Sequence, residues 1–215
     1  LDVDILGLCE VENMNVLNDL NNAFTEIEYG IIHYESPDER GIDNALFYNP
    51  SKFKVLSSKP IANILSGDDK TRDILYVKGI FNRSLIHIFV NHWPSNYGGK
   101  EKSIPKRNST SKLLLGEIQK VKKAEAGPNI VLLGDFNEDP DDKNVLLLES
   151  AGLTNLMMAK IDKKDISTYI YRGTNYLYDQ IIVSNNILDE KGFTIADSTA
   201  YILDLPKYRQ QEGNY

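Results

Sequence analysis

Three apolar runs of this chain end in polar residues that could do chemistry. Residues 3–11 close on Glu10 and Glu12. Residues 85–91 run into His92. Residues 130–133 run into Gly134-Asp135-Phe136-Asn137-Glu138-Asp139. A further carboxylate, Asp179, stands between Leu177-Tyr178 and an Ile-Ile-Val run. An unpartnered charge there would be costly, so a charged or hydrogen-bonded neighbour is expected. Groups at strand ends take precision from the sheet and access from the loop beyond it.

Each residue alone has an ordinary explanation. Glu10 reads as a solvated strand end, His92 as a loop histidine, and Asp135 as a turn former. Together they describe a site for a hard cation. Carboxylate oxygens suit Mg²⁺, with Mn²⁺ as a substitute, and there is no Cys or His cluster for zinc. Mg²⁺ keeps most of its waters, so Glu10 plus a substrate phosphate would suffice to hold it. His92 is suited to proton transfer or to donating a hydrogen bond. Asp135 and Asn137, on one tight turn, are placed to orient a water and hold a phosphate oxygen. Arg72 precedes an apolar run and is placed to contact a non-bridging oxygen.

The chain has 215 residues, 41% of them hydrophobic, enough for one sizeable core. Its formal net charge of -7 argues against affinity built on many phosphate contacts, though not against a local grip on a few. The single cysteine, Cys9, can form no disulfide within the chain, and reads as a small buried side chain. No apolar run approaches the roughly 18 residues of a membrane span. No obligate protein partner is evident, and the compartment is undetermined.

Strands and helices alternate along the chain. Asn13 is placed to cap a helix whose Val16, Leu17, Leu20 and Phe24 share one face. Strands are expected at 45–48, 53–56, 74–81 and 85–91, with a hairpin at Asn82-Arg83. Residues 94–108 are polar and read as a long loop. A helix should follow, capped by Ser109 or Thr110 and ended by Gly127-Pro128. Another strand (130–133), a short helix (143–151) and a buried strand (178–183) complete a mixed α/β domain with at least one large sheet.

Leu8-Cys9-Glu10-Val11, Gly41 to Tyr48, Thr71 to Leu75, Asn91-His92-Trp93, Gly134-Asp135-Phe136-Asn137 and Tyr178 to Val183 occur in one order. That order resembles the endonuclease/exonuclease/phosphatase family, bacterial members included, from the first residue to about residue 184. The resemblance implies a deoxyribonuclease-like α/β fold: a four-layer sandwich of two packed mixed β-sheets flanked by α-helices, with the site at one edge. It also implies roles. Glu10 is similar to the family's metal-binding glutamate, and His92 to its histidine on the phosphate or leaving group. Asp135 and Asn137 resemble the pair that positions water and phosphate. Asp179 resembles the aspartate that partners a second histidine, and Arg72 a phosphate-contacting arginine. Asp43 is expected to hold the tautomer of His92.

The sequence departs from that pattern at both ends. The family's asparagine on a strand before Glu10 is not found. The only histidines are His33, His87 and His92, so none follows Asp179. Residues 1–215 are therefore expected to be one domain lacking terminal strands. Lys100, Lys102, Lys106, Arg107 and Lys112 form a basic patch suited to a nucleic-acid backbone or an inositol polyphosphate. No aromatic row for stacking single strands is evident. The expected activity is Mg²⁺-dependent hydrolysis of phosphate esters, as a phosphodiesterase or nuclease. The alternatives are an inositol-polyphosphate-type phosphatase, or an inactive member that binds phosphorylated ligands or proteins.

Overall fold

The computed structural model describes residues 3–67, 69–161, 163, 166–189, 191–195, 200–203 and 205. In chain order the strands are β1 (Ile5–Val11), β2 (Gly30–His33), β3 (Asp43–Tyr48), β4 (Phe53–Ile61), β5 (Ile74–Phe81), β6 (Ser84–His92), β7 (Asn129–Asp135), β8 (Leu153–Asn155), β9 (Tyr169–Tyr171), β10 (Thr174–Tyr176) and β11 (Asp179–Ser184). The helices are α1 (Met14–Asn22), α2 (Lys100–Ala124) and α3 (Lys143–Glu149).

Period-two alternation sorts the side chains into layers. On β6, Ile86, Ile88 and Val90 point to one face and Phe89 to the other; on β3, Leu46 points one way and Ala45 and Phe47 the other. The first set, with Ile32, Phe53, Leu75 and Val77, fills the space between two sheets. One sheet has the order β1-β3-β2 and is antiparallel. The other has the order β4-β5-β6-β7-β11-β8 and is mixed, with β6 and β7 parallel. Ala45 and Phe47 pack under Leu17 of α1. Phe89, Trp93, Ile130 and Leu132 pack under Leu114 and Ile118 of α2 and Val145 and Leu148 of α3. Helix, sheet, sheet, helix is the expected four-layer sandwich. The smaller sheet, however, is antiparallel and not mixed.

Asn13 caps α1 as expected, its side chain accepting from the backbone N–H groups of Asn15 and Val16. Asn82 and Arg83 both take left-handed backbone, φ 48° and 65°, and close the β5–β6 hairpin.

The expectation of a loop over 94–108 fails from residue 100 onward, because α2 begins at Lys100 and carries Pro105 within it. Its inward face there is polar, so no apolar stripe announced it. Ser103, Arg107, Thr110 and Ser111 are all buried. The guanidinium of Arg107 donates to Glu138 Oε1, to the Pro94 carbonyl and to Ser103 Oγ. These bonds hold the first turns helical despite the N–H that Pro105 lacks. The short strands β2 and β8 and the β9–β10 hairpin were also not foreseen.

Candidate active site

His92 is the last residue of β6, Asp135 the last of β7 and Asp179 the first of β11. They fall in one row, because His92 pairs in register with Asp135 across the parallel strands and Asp179 with Asp135 across the antiparallel ones. Backbone bonds lock the row: Trp93 N donates to the Asp135 carbonyl (2.9 Å) and Phe136 N to the Tyr178 carbonyl (2.8 Å). Gly134 makes the approach possible. Its φ of +123° and the Asn91 carbonyl beside it leave no room for a Cβ.

Glu10 reaches this row from the other sheet. β1 lies across β6 and β7, and the buried thiol of Cys9 donates to the Asn91 carbonyl at 3.3 Å. Burial pushes that thiol up to about 12, so Cys9 is inert packing. Next to it, the pairing of β1 with β3 slips between Leu8 and Val11, and Glu10 adopts φ 60°. Such a bulge re-aims one side chain. The Glu10 carboxylate stays open to solvent, 3.9 Å from Arg40 Nη1.

The electrostatics follow from burial and like charge. Desolvation, then the charge of Asp179 and, more weakly, that of Glu10 raise the Asp135 carboxyl to about 7, although the Asn137 N–H bonds to its Oδ1 at 2.7 Å. Desolvation also raises Asp179, opposed by a hydrogen bond from Thr168. Asp179 is itself an exposed residue; its backbone N–H donates to Thr168 Oγ1 at 3.0 Å, and no ion pair forms at its carboxylate among the described residues. His92 is 2% exposed, with Nε2 at 3.6 Å from Asp135 Oδ2 and Nδ1 without a partner. Burial, then the charges of Arg72 and Arg40, lower it to about 3, which favours the neutral imidazole.

Asn137 sits on left-handed backbone, φ 50°, and its amide donates to the Trp93 carbonyl at 3.0 Å. Arg72 is buried beside His92. Its two terminal nitrogens bond Asp38 (3.0 Å) and the Trp93 carbonyl (2.6 Å), and Nε has no partner. The expected pairing of Asp43 with His92 is not found. Asp43 Oδ2 lies 3.0 Å from His33 Nε2, and its other oxygen accepts from Ser36. Both Asp43 oxygens are thus engaged by His33 and Ser36, whereas His92 faces Asp135. The patch of cations is also reduced: Arg107 is fully buried, Lys100 pairs with Asp142 and Lys106 with Asp69.

Sequence reasoning missed Asp38, Arg40, Asn96 and Thr168. Asp38 and Arg40 stand in Pro37-Asp38-Glu39-Arg40-Gly41, which signals only a turn. Asn96 joins the Asn137 carbonyl to the Tyr178 hydroxyl, and nothing in its neighbours marks it.

The donors present fit a hard divalent cation. Glu10, Asp135 and Asp179 offer oxygen only, and their mutual repulsion favours a cation among them. They do not converge tightly. Among the described residues the one group of three with ligand atoms within 4.8 Å is His33, Glu35 and Asp43. That suits an ion held by Glu10 and otherwise by water and substrate, as Mg²⁺ prefers.

The sequence profile of the endonuclease/exonuclease/phosphatase family matches residues 2–215. The chain belongs to that family. Its members are phosphoester hydrolases, and this chain is placed among them. Solved structures agree on the fold. The human Nocturnin catalytic domain with bound sulfate aligns with TM-score 0.61 and 21% identity, over 84% of this chain and 69% of that one. D. rerio TDP2 complexed with single-strand DNA product aligns with TM-score 0.62 and 18% identity, over 84% and 70%. A mannosyl-6-phosphatase of Bacteroides thetaiotaomicron aligns with TM-score 0.62 and 20% identity, over 85% and 72%. No curated protein matches the chain. Among the described residues no helix is long and apolar enough to cross a membrane.

Proposed function

We propose that this chain hydrolyses phosphodiesters, as a nuclease does, with Mg²⁺ or Mn²⁺ bound at Glu10. The observation that carries the reading is the row His92, Asp135, Asp179 with Glu10 beside it. No Lys or Arg forms an ion pair with Asp135 or Asp179 among the described residues, and both carboxyls are raised. Such a site favours a cation and a phosphate together. The two sheets share one core and both contribute to this edge, which supports reading residues 1–215 as one domain.

A divalent cation there supplies charge neutralisation at the phosphate and at the leaving oxygen. The residues do the rest. Asp135, once ionised, accepts a proton from water and orients it for in-line attack. Asn137, fixed by Asp135 and Trp93, has an amide N–H left for a phosphate oxygen. Neutral His92 is a hydrogen-bond donor and not a cation. Arg72, immobilised by Asp38, sets a fixed positive charge beside the charge that develops on phosphate oxygens. Asp179 keeps the proton affinity of Asp135 high.

The D. rerio neighbour with its DNA product supports the diester, and the Bacteroides phosphatase supports a monoester as the second reading. Hydrolysis of bis-p-nitrophenyl phosphate and of p-nitrophenyl phosphate, with Mg²⁺ and with chelator, separates them. Faster diester turnover that needs the metal is expected. Faster monoester turnover would shift the reading to a phosphatase. No turnover of either by folded protein would leave an inactive, ligand-binding member of the family.

A further inference from the structure

The smaller sheet gathers a second set of ligand-bearing side chains. His33 closes β2 and Asp43 opens β3. His33 pairs with Ala45, so the same register carried onward sets Glu35 opposite Asp43. Period-two alternation then turns His33, Glu35 and Asp43 to one face. It is the face on which Ala45 and Phe47 pack under α1, whereas Asn44 turns the other way, to the Asp73 and Val90 carbonyls. The ligand atoms of His33, Glu35 and Asp43 lie within 4.8 Å of one another.

Two of these donors are built in place. His33 Nε2 and Asp43 Oδ2 are 3.0 Å apart, on side chains 3% and 2% exposed. That is near the spacing of two ligands on one tetrahedral ion with bonds of about 2.0–2.2 Å. The other Asp43 oxygen accepts from the Ser36 N–H at 2.8 Å and from Ser36 Oγ, so outer hydrogen bonds orient the carboxylate as they do ligating carboxylates. Glu35 is exposed and can close on the pair from solvent. No Lys or Arg forms an ion pair with Glu35 or Asp43 among the described residues, so no fixed cation offsets the two carboxylates. The imidazole decides the kind of metal. Glu10, Asp135 and Asp179 offer oxygen only, which suits Mg²⁺, whereas one nitrogen with two carboxylates suits a borderline cation, Zn²⁺ foremost.

We propose that His33 Nε2, Asp43 Oδ2 and the Glu35 carboxylate bind one Zn²⁺, with water as the fourth ligand. The site is separate from the candidate active site and takes a different ion. His33 and Glu35 stand at the start of the segment joining β2 to β3, and Asp43 stands at its end. That segment carries Asp38, which holds Arg72 at 3.0 Å, and Arg40, 3.9 Å from Glu10. The ion therefore clamps the base of the loop that sets both arginines.

Calorimetric titration with Zn²⁺, with Mg²⁺ in excess, reads the site without turnover. One Zn²⁺ is expected to bind. Glu35→Gln should weaken it by at least about tenfold, and Ser36→Ala, which removes an outer hydrogen bond, by about tenfold. Glu10→Gln should leave it unchanged. Glu35 is exposed, so in chelator Glu35→Gln should melt as wild type does. Zn²⁺ should then raise the melting temperature of wild type and not that of the variant. X-ray absorption at the zinc edge should show one imidazole among oxygen ligands. No zinc binding by the folded chain would overturn the site, as would binding that survives Glu35→Gln unchanged or a ligand shell without imidazole. Binding lost in Glu10→Gln would overturn it too, by placing the ion in the row of carboxylates. None of these measurements requires hydrolysis, so the zinc site stands or falls apart from the phosphoesterase reading.

Discussion

Asp135 and Asp179 occupy paired register positions on antiparallel strands, and the charge of Asp179 helps hold the Asp135 carboxyl at about 7. Two acids aligned at one sheet edge are a destabilising arrangement. It becomes useful when one of them must exchange protons with water near neutral pH.

Activity should therefore rise with pH along a limb set by ionisation of Asp135, at or below about 7 when a cation is bound. Removing the like charge lowers the pKa of Asp135, so Asp179→Asn should move this limb towards acid. His92, already neutral above about 3, should add no limb of its own. The check is kcat/KM against pH for both proteins. A limb that stays put in Asp179→Asn would break the link between the two carboxylates.

The same pKa bears on stability. The folded state binds this proton more tightly than the unfolded chain does. The contribution of Asp135 is therefore favourable below the ordinary carboxylate range, and it is lost as pH rises through about 7. Asp135→Asn keeps an oxygen for the Asn137 N–H and removes the charge. It should melt higher than wild type at pH 8, by about 2 kcal/mol in stability, with little difference at pH 4. Turnover should fall by roughly two to four orders of magnitude. Thermal melts at the two pH values test this, and a variant less stable than wild type at pH 8 would contradict it.

Glu10→Gln should raise the Mg²⁺ concentration needed for half-maximal activity, and Mg²⁺ titration calorimetry should show weaker binding. His92→Ala should lower turnover by roughly two to four orders of magnitude without changing the Mg²⁺ requirement. Wild-type metal dependence in Glu10→Gln would remove Glu10 from the site.

The site loop depends on a buried ion pair. Arg107 and Glu138 have side chains 0% and 2% exposed, and Glu138 also accepts from Asn144. Arg107→Ala would leave the Glu138 carboxylate buried without its cation, at a cost of roughly 3–5 kcal/mol in urea unfolding. Arg107→Met with Glu138→Gln should recover part of that loss. Equal destabilisation in both variants would show that Arg107 acts through packing alone.

The longer strands and the three strand-end motifs were legible because period-two alternation and abrupt polar termini are local signals. That His92, Asp135 and Asp179 fall in one row is set by strand register, which no local signal carries. Two kinds of feature were not legible. The start of α2 has a polar buried face, so Ser103 and Arg107 look like solvent residues until Glu138 and Pro94 are brought to them. Partnerships between residues distant in sequence were also hidden: Asp43 turns to His33 on the neighbouring strand and to Ser36 in the loop between them, and Asp38 to Arg72. A tyrosine stack was overlooked as well. Tyr171, Tyr169 and Tyr178 lie ring against ring, with centroids 6.4 and 5.4 Å apart, leading from the β9–β10 hairpin to Asp179. They are separated in sequence and gathered only by the hairpin.

The central claim is metal-dependent cleavage of a phosphodiester at Asp135. Nicking of supercoiled plasmid tests it most directly, with Mg²⁺, with chelator, and with Asp135→Ala in Mg²⁺. The account predicts nicking in the first case alone. Nicking that persists with chelator or in the variant would contradict it, and so would intact plasmid in Mg²⁺ with the folded wild-type protein.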